Sequence, residues 1–178
     1  MSEHMVSSYR NYWNKICSGG CCSVSGPSLS ECFWTILGSF IGIGIVTYLT
    51  FLKGVPVLVA SLGASACLIY GAPAVPFSQP RNAVIGQIVA AAIGVLVYQL
   101  FGNYWYTATL SVALAIGAMM LTRIVHPPAG ATALIAVITQ QDWLFPLLPV
   151  GVGICILVAV GVLVNNMAAN RQYPSYWW

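Results

Sequence analysis

Gly63-Ala64-Ser65-Ala66-Cys67-Leu68-Ile69 returns 67 residues later as Gly130-Ala131-Thr132-Ala133-Leu134-Ile135-Ala136. Each copy opens on glycine, carries a hydroxyl side chain two residues on, and runs into a short apolar stretch. Six apolar segments surround and include these copies, at about 33–52, 55–70, 83–101, 105–121, 129–139 and 145–164. A bilayer crossing takes about 20 residues, so the first, third and sixth span unaided and the fourth spans if tilted. The second and fifth are short and begin at Pro56, Pro127 and Pro128. Such segments are either spans completed by loop residues or half-helices that enter and return. The offset that relates the two copies carries the third segment onto the sixth and the first roughly onto the fourth. Each half then reads long helix, short helix, long helix. Chance similarity among small residues competes with any single match; the shared segment order argues for a true repeat.

Charge placement gives an independent reading of topology. If all six segments cross, Arg10, Lys15, Arg81, Arg123 and Arg171 share one face and only Lys53 lies on the other. Basic loops stay in the cytoplasm, which puts both termini there. Three crossings per half also turn the halves upside down relative to each other, as in many transporters. A four-crossing form, with segments two and five re-entrant, stays open beside the favoured six. The expected fold is all-α: a polytopic transmembrane helix bundle of two inverted three-helix repeats with short or broken second helices. The repeat halves cover about 33–101 and 105–166. They are flanked by a polar, cysteine-containing tail at 1–32 and an aromatic tail at 167–178.

Composition excludes a soluble domain. Of 178 residues, 59% are hydrophobic and 5% charged, against about 25% charge in soluble domains, and the mean hydropathy is +0.86. A formal charge of +3 from scattered bases gives no nucleic-acid surface. Residues 1–31 lack a signal-peptide core, so the first span is expected to double as an uncleaved insertion signal. In that tail, Tyr9, Tyr12 and Trp13 beside Arg10 and Lys15 resemble a short interfacial helix. Ser28 and Ser30 ahead of Glu31 read as a capping start for the first span. Cys17, Cys21, Cys22 and Cys32 crowd the tail without the paired spacing of a zinc site. They are read as reduced thiols or a lipid attachment site, with no metal expected.

Packing signals suit a bundle in lipid, where small residues let helices approach: Gly38 with Gly42, Ala90 with Gly94, and Ala113 with Gly117. Trp34, Trp105 and Trp143 read as an aromatic belt, and Tyr173, Tyr176, Trp177 and Trp178 as an interfacial anchor. Glu31 and Asp142 read as solvated loop acids, and Asn165 with Asn166 as a helix stop.

The most specific string is Arg123-Ile124-Val125-His126-Pro127-Pro128-Ala129-Gly130-Ala131-Thr132-Ala133. It resembles the signature of the HPP family of integral membrane proteins, named for its His-Pro-Pro tripeptide. The Ser61–Ala66 and Phe77–Asn82 stretches also resemble that family's pattern, and the likeness covers roughly 31–164. Members occur in bacteria and in chloroplasts of algae and plants, and some are implicated in nitrite transport. The resemblance therefore implies a carrier or channel for nitrite or a similar small anion. A bacterial plasma membrane is the expected location, ahead of a chloroplast membrane.

The residues point to the same solute class. Helix starts carry orphan N–H donors and a positive dipole end that attract anions. Pro127 and Pro128 suit such a start, Gly130 admits close approach, and Thr132 adds a hydroxyl. Gly63 and Ser65 repeat the offer in the first half. The competing account is helix packing, with the hydroxyls bonded back to their own helices. Arg123 either grips an oxyanion with its forked donors or marks the cytoplasmic interface. His126 either contacts the solute and accepts its proton or serves as a helix-start donor. Arg81 either lines a vestibule that gathers anions or is a plain orienting charge. With three acids and two histidines, no catalytic constellation is expected, and no cofactor. The chain holds no ATP-binding loop motif. The partners expected are a small anion, the lipid bilayer and, in some settings, further copies of the chain. The alternative function is a non-catalytic structural or assembly subunit of a membrane complex.

Overall fold

The computed structural model describes Gly26, 28–52 and 58–178. Expectations about the N-terminal interfacial helix, Cys17, Cys21, Cys22, Lys53 and Pro56 therefore lie outside the described residues. Six α-helices form within them: α1 (Leu29–Leu52), α2 (Leu58–Gly71), α3 (Pro80–Phe101), α4 (Trp105–Leu121), α5 (Ala129–Ile138) and α6 (Val152–Met167).

Local chemistry sets the boundaries. Ser28 and Glu31 form a reciprocal cap: Ser28 N–H donates to Glu31 Oε2 at 2.7 Å and Glu31 N–H donates to Ser28 Oγ at 3.2 Å. This starts α1 at Leu29, ahead of the expected 33, and makes Glu31 part of the cap. Gly102, at a φ of 77° open to glycine, ends α3. Ahead of α6, Pro146–Gly151 is a wide turn containing Pro149 and a non-helical Leu148. A proline inside a helical path removes a donor and bends it, so the sixth apolar segment is broken near its start.

At 1.5 Å per residue, α5, ten residues long, covers roughly 15 Å, half of a hydrocarbon core. A full crossing at this point takes more chain than the helix itself, and residues 122–128 are the stretch that leads into it from α4. The three longest apolar helical segments, Leu29–Leu52, Pro80–Phe101 and Pro146–Met167, are long and apolar enough to cross a membrane. Large apolar side chains point outward, with Phe40 80% and Leu121 88% exposed. A surface of that kind belongs in lipid.

The packing interlocks the halves. α1 lies on α2 and α6, and α4 on α5 and α3; α3 lies on α5, and α6 on α2. The third helix of each half thus packs against the first two helices of the other. Contacts along each pair fix direction: Gly38 meets Val164 and Val46 meets Gly153, so α1 and α6 run antiparallel. Leu62 meets Gly153 and Ile69 meets Gly161, so α2 and α6 run parallel.

Glycines expose the repeat in the packing. A Cβ on Gly94 would stand 2.7 Å from Ala136 Cβ, and one on Gly161 would stand 2.5 Å from Ile69 Cγ2. Shifting Gly94 and Ile69 by the repeat offset gives Gly161 and Ala136. Two glycine contacts that no local pattern links are therefore one contact made twice, and the sequence repeat is a structural one. Gly38 and Gly42 both seat the Tyr70 ring. No described residue comes within 4 Å of a Cβ placed on Gly117, so the Ala113–Gly117 pair faces outward.

The C-terminal tail departs from a simple anchor. Tyr173 is 1% exposed, and its hydroxyl donates to the Ser78 carbonyl at 2.7 Å. Arg171 donates to the carbonyls of Tyr70 and Glu31 and to Thr35 Oγ1. The tail closes the bundle where α1 begins and α2 ends. Trp177 and Trp178 stay exposed, as does Tyr176.

Candidate functional site

Ser61 and Ser65 are one turn apart on α2, so both hydroxyls leave the same face. That face meets α3 and the chain leading into α5. There Gln87, His126 and Thr132 join the two serines, all five with no exposed surface. Ser61 Oγ donates to the Pro128 carbonyl at 2.9 Å, which brings the two short helices together at their starts. Ser61 Oγ also lies 2.6 Å from Thr132 Oγ1, and Thr132 bonds Gln87 Oε1. The Gln87 amide nitrogen donates to Ser65 Oγ at 2.9 Å and Ser61 Oγ at 3.2 Å.

His126 is held from both sides. Nδ1 lies 2.7 Å from the Phe77 carbonyl; a carbonyl only accepts, so Nδ1 carries the hydrogen. Nε2 lies 2.9 Å from Ser65 Oγ and accepts from it when the ring is neutral. Ser65 Oγ is also 3.2 Å from its alternative acceptor, the Ser61 carbonyl. The three hydroxyl hydrogens thus face five acceptors: Pro128 O, Thr132 Oγ1, Gln87 Oε1, His126 Nε2 and Ser61 O. A second ring proton on His126 would donate to Ser65 and free the serine hydrogen for Ser61 O. Among the described residues, each buried side-chain nitrogen or oxygen has a partner.

The expected site residues separate in space. Ser65, His126 and Thr132 meet in this cluster. No described residue comes within 4 Å of a Cβ placed on Gly63, and Gly130 faces Val112 of α4; neither glycine lines the cluster. Arg123 is exposed, with a φ of 57°. Its N–H donates to Met120 O at 3.2 Å and that of Ile124 to Met119 O at 3.0 Å, the bonding of a Schellman helix stop. That stop turns the chain inward toward His126, and Asn82 holds the inward path by donating to Val125 O at 3.1 Å. Arg81 lies outside the cluster, at the mouth of a groove between α3 and α6.

The helix-start donors are also engaged. The N–H groups of Ala129, Gly130 and Ala131 donate to the carbonyls of His126, Pro127 and Pro128. The polar groups gathered at this point are therefore side chains, not the bare backbone donors that the sequence leads one to expect. Sequence reasoning missed Gln87. Its signal was plain: an amide inside an otherwise apolar span, where polar groups are costly. Among the described residues no three metal-ligating side chains gather, and Cys32 stands half-buried on α1.

An all-helical bundle with an apolar exterior and a buried polar centre defines an integral membrane protein. The model of the HPP transmembrane region matches residues 24–174, and the chain belongs to that family. Two transmembrane proteins of Dictyostelium discoideum are similar to it. One is 38% identical, covering 85% of this chain and 58% of the relative. The other is 40% identical, covering 90% of this chain and 55% of the relative. The chain thus spans little more than half the length of these relatives. No solved structure matches it.

Proposed function

We propose that this protein carries a small inorganic anion, with nitrite the first candidate, across the membrane together with a proton. One observation carries the reading: the two short helices of the inverted halves start against each other at a buried cluster that contains His126. Helices interrupted at the membrane midplane are where such repeats bind their solutes. An ionisable group within the membrane is, by default, the mark of a functional site. Here the task is proton uptake: a second ring proton on His126 would donate to Ser65 and turn the serine hydroxyl to the Ser61 carbonyl, and an anion arriving with that proton adds no net charge to the apolar layer. The described conformation is closed around the cluster, so transport requires the interlocked halves to part on one face at a time.

Proteoliposomes test this. Nitrite uptake accompanied by acidification of the lumen is the expected result. Flux no greater than in empty liposomes, from correctly folded protein, would overturn it. The second reading, an assembly subunit, is favoured by the outward Ala113–Gly117 pair, which suits close approach of another helix. Stoichiometric recovery of one membrane partner, with no flux, is its expected signature.

A further inference from the structure

α3 and α6 touch only lightly on the outer side, leaving a groove of about 570 Å³ whose mouth holds Arg81, Trp177 and Trp178. A second hollow of about 640 Å³ continues it along Ile88 and Val152. The two share Cys155 and Ala159, so they form one furrow. Along α6 it runs from Leu163 to Val152, roughly 17 Å at 1.5 Å per residue. One leaflet of hydrocarbon is about 15 Å deep. Apart from Arg81 at the mouth, the lining is almost wholly apolar.

We infer that this furrow holds one acyl chain of an anionic phospholipid, with the lipid phosphate on the Arg81 guanidinium. Length and lining fit a single chain. Charge fits the headgroup: among the described residues Arg81 has no acidic partner, since Glu31 is engaged by Ser28 and Asp142 lies beyond the far end of α5. Arg81 also sits in the first turn of α3, where the helix dipole disfavours a cation. An external anion at that spot satisfies both the guanidinium and the dipole. The tryptophans are positioned for the headgroup layer, because the tail that bears them is pinned just upstream. Ser175 N–H donates to Gln79 Oε1 at 2.8 Å, and Tyr173 is tied to Ser78. The inference is independent of what the protein transports.

The test uses the full chain, stripped of lipid in detergent and titrated with phosphatidylglycerol or phosphatidylcholine, with retained lipid read by native mass spectrometry. Wild type should bind one phosphatidylglycerol at least tenfold more tightly than phosphatidylcholine. Arg81→Gln should bring the two within about twofold, Arg81→Lys should keep most of the preference, and Ala159→Phe should abolish retention of both. Equal binding of the two lipids by wild type, or undiminished preference in Arg81→Gln, overturns the inference. So does a dimer that Ala159→Phe converts to monomer, which would give the furrow to a second copy of the chain.

Discussion

Ser65 Oγ and His126 Nε2, 61 residues apart in sequence, lie 2.9 Å apart in the bundle. The bond joins the first short helix to the chain entering the second, so it ties the two halves of the repeat at their centre. Removing the serine hydroxyl leaves a buried ring nitrogen without its hydroxyl donor, a loss of about 1–3 kcal/mol. Ser65→Ala should therefore lower the unfolding midpoint in detergent, and nitrite-coupled proton uptake should fall with it. His126→Ala should abolish the uptake while Lys53→Ala leaves it near the wild-type rate. Equal uptake by the histidine variant and wild type would take His126 out of the mechanism.

The glycines divide by what surrounds them. At Gly94 a Cβ would stand 2.5 Å from the Ala133 carbonyl oxygen, which is backbone and does not yield. Overpacking of this kind costs about 1–3 kcal/mol. Gly161→Ala meets the γ-branch methyl of Ile69, a fully buried β-branched side chain with little rotamer freedom, so it should cost about as much. At Gly63 and Gly117 no described residue comes within 4 Å. Alanine there should be neutral, or stabilising by up to about 1 kcal/mol from helix propensity. Thermal unfolding of the four variants checks the order; a Gly117→Ala variant as damaged as Gly94→Ala would contradict the packing.

Arg123 separates helix stopping from anion binding. A non-glycine residue in the left-handed region costs roughly 1–2 kcal/mol, and Gln140 closes α5 in the same way, its N–H donating to Val137 O and that of Gln141 to Ala136 O. Arg123→Gly should raise stability and leave nitrite uptake unchanged. A fall in uptake without a fall in stability would return Arg123 to the solute path.

The inverted repeat was legible because the Gly63 and Gly130 copies sit at matching places in matching segment orders. The limits of α4 were legible because Trp105 and Leu121 border an unbroken apolar run. Other features depend on meetings that no spacing encodes. Gln87 reads as an isolated polar residue until α3 lies against α2. The donors of α5 read as free until Pro127 and Pro128 prove to be already turned into a helical path that satisfies them. Tyr173 sits among aromatic residues that do remain at the surface, and only the return of the tail to Ser78 buries it.

That return gives the last prediction. Tyr173 donates to Ser78 O, Ser175 to Gln79, and Phe77 O in the same turn accepts from His126 Nδ1. One short turn therefore links the tail to the central cluster. Tyr173→Phe removes one hydrogen bond, about 1 kcal/mol, and should speed exchange of the Ser78 and Gln79 amides without unfolding the helices. Burial, with the nearby Tyr70 adding to it, pushes the Tyr173 phenol above its ordinary value. A group with a raised folded-state value contributes its stability at low pH and loses it as pH rises past its unfolded value, about 10 for tyrosine. Exchange of the Ser78 and Gln79 amides in wild type, corrected for the intrinsic rise with pH, should accelerate above about pH 10, while Tyr173→Phe, already fast, should show no such step. A step of equal size in both proteins would place the alkaline transition elsewhere and break the proposed link between tail and turn.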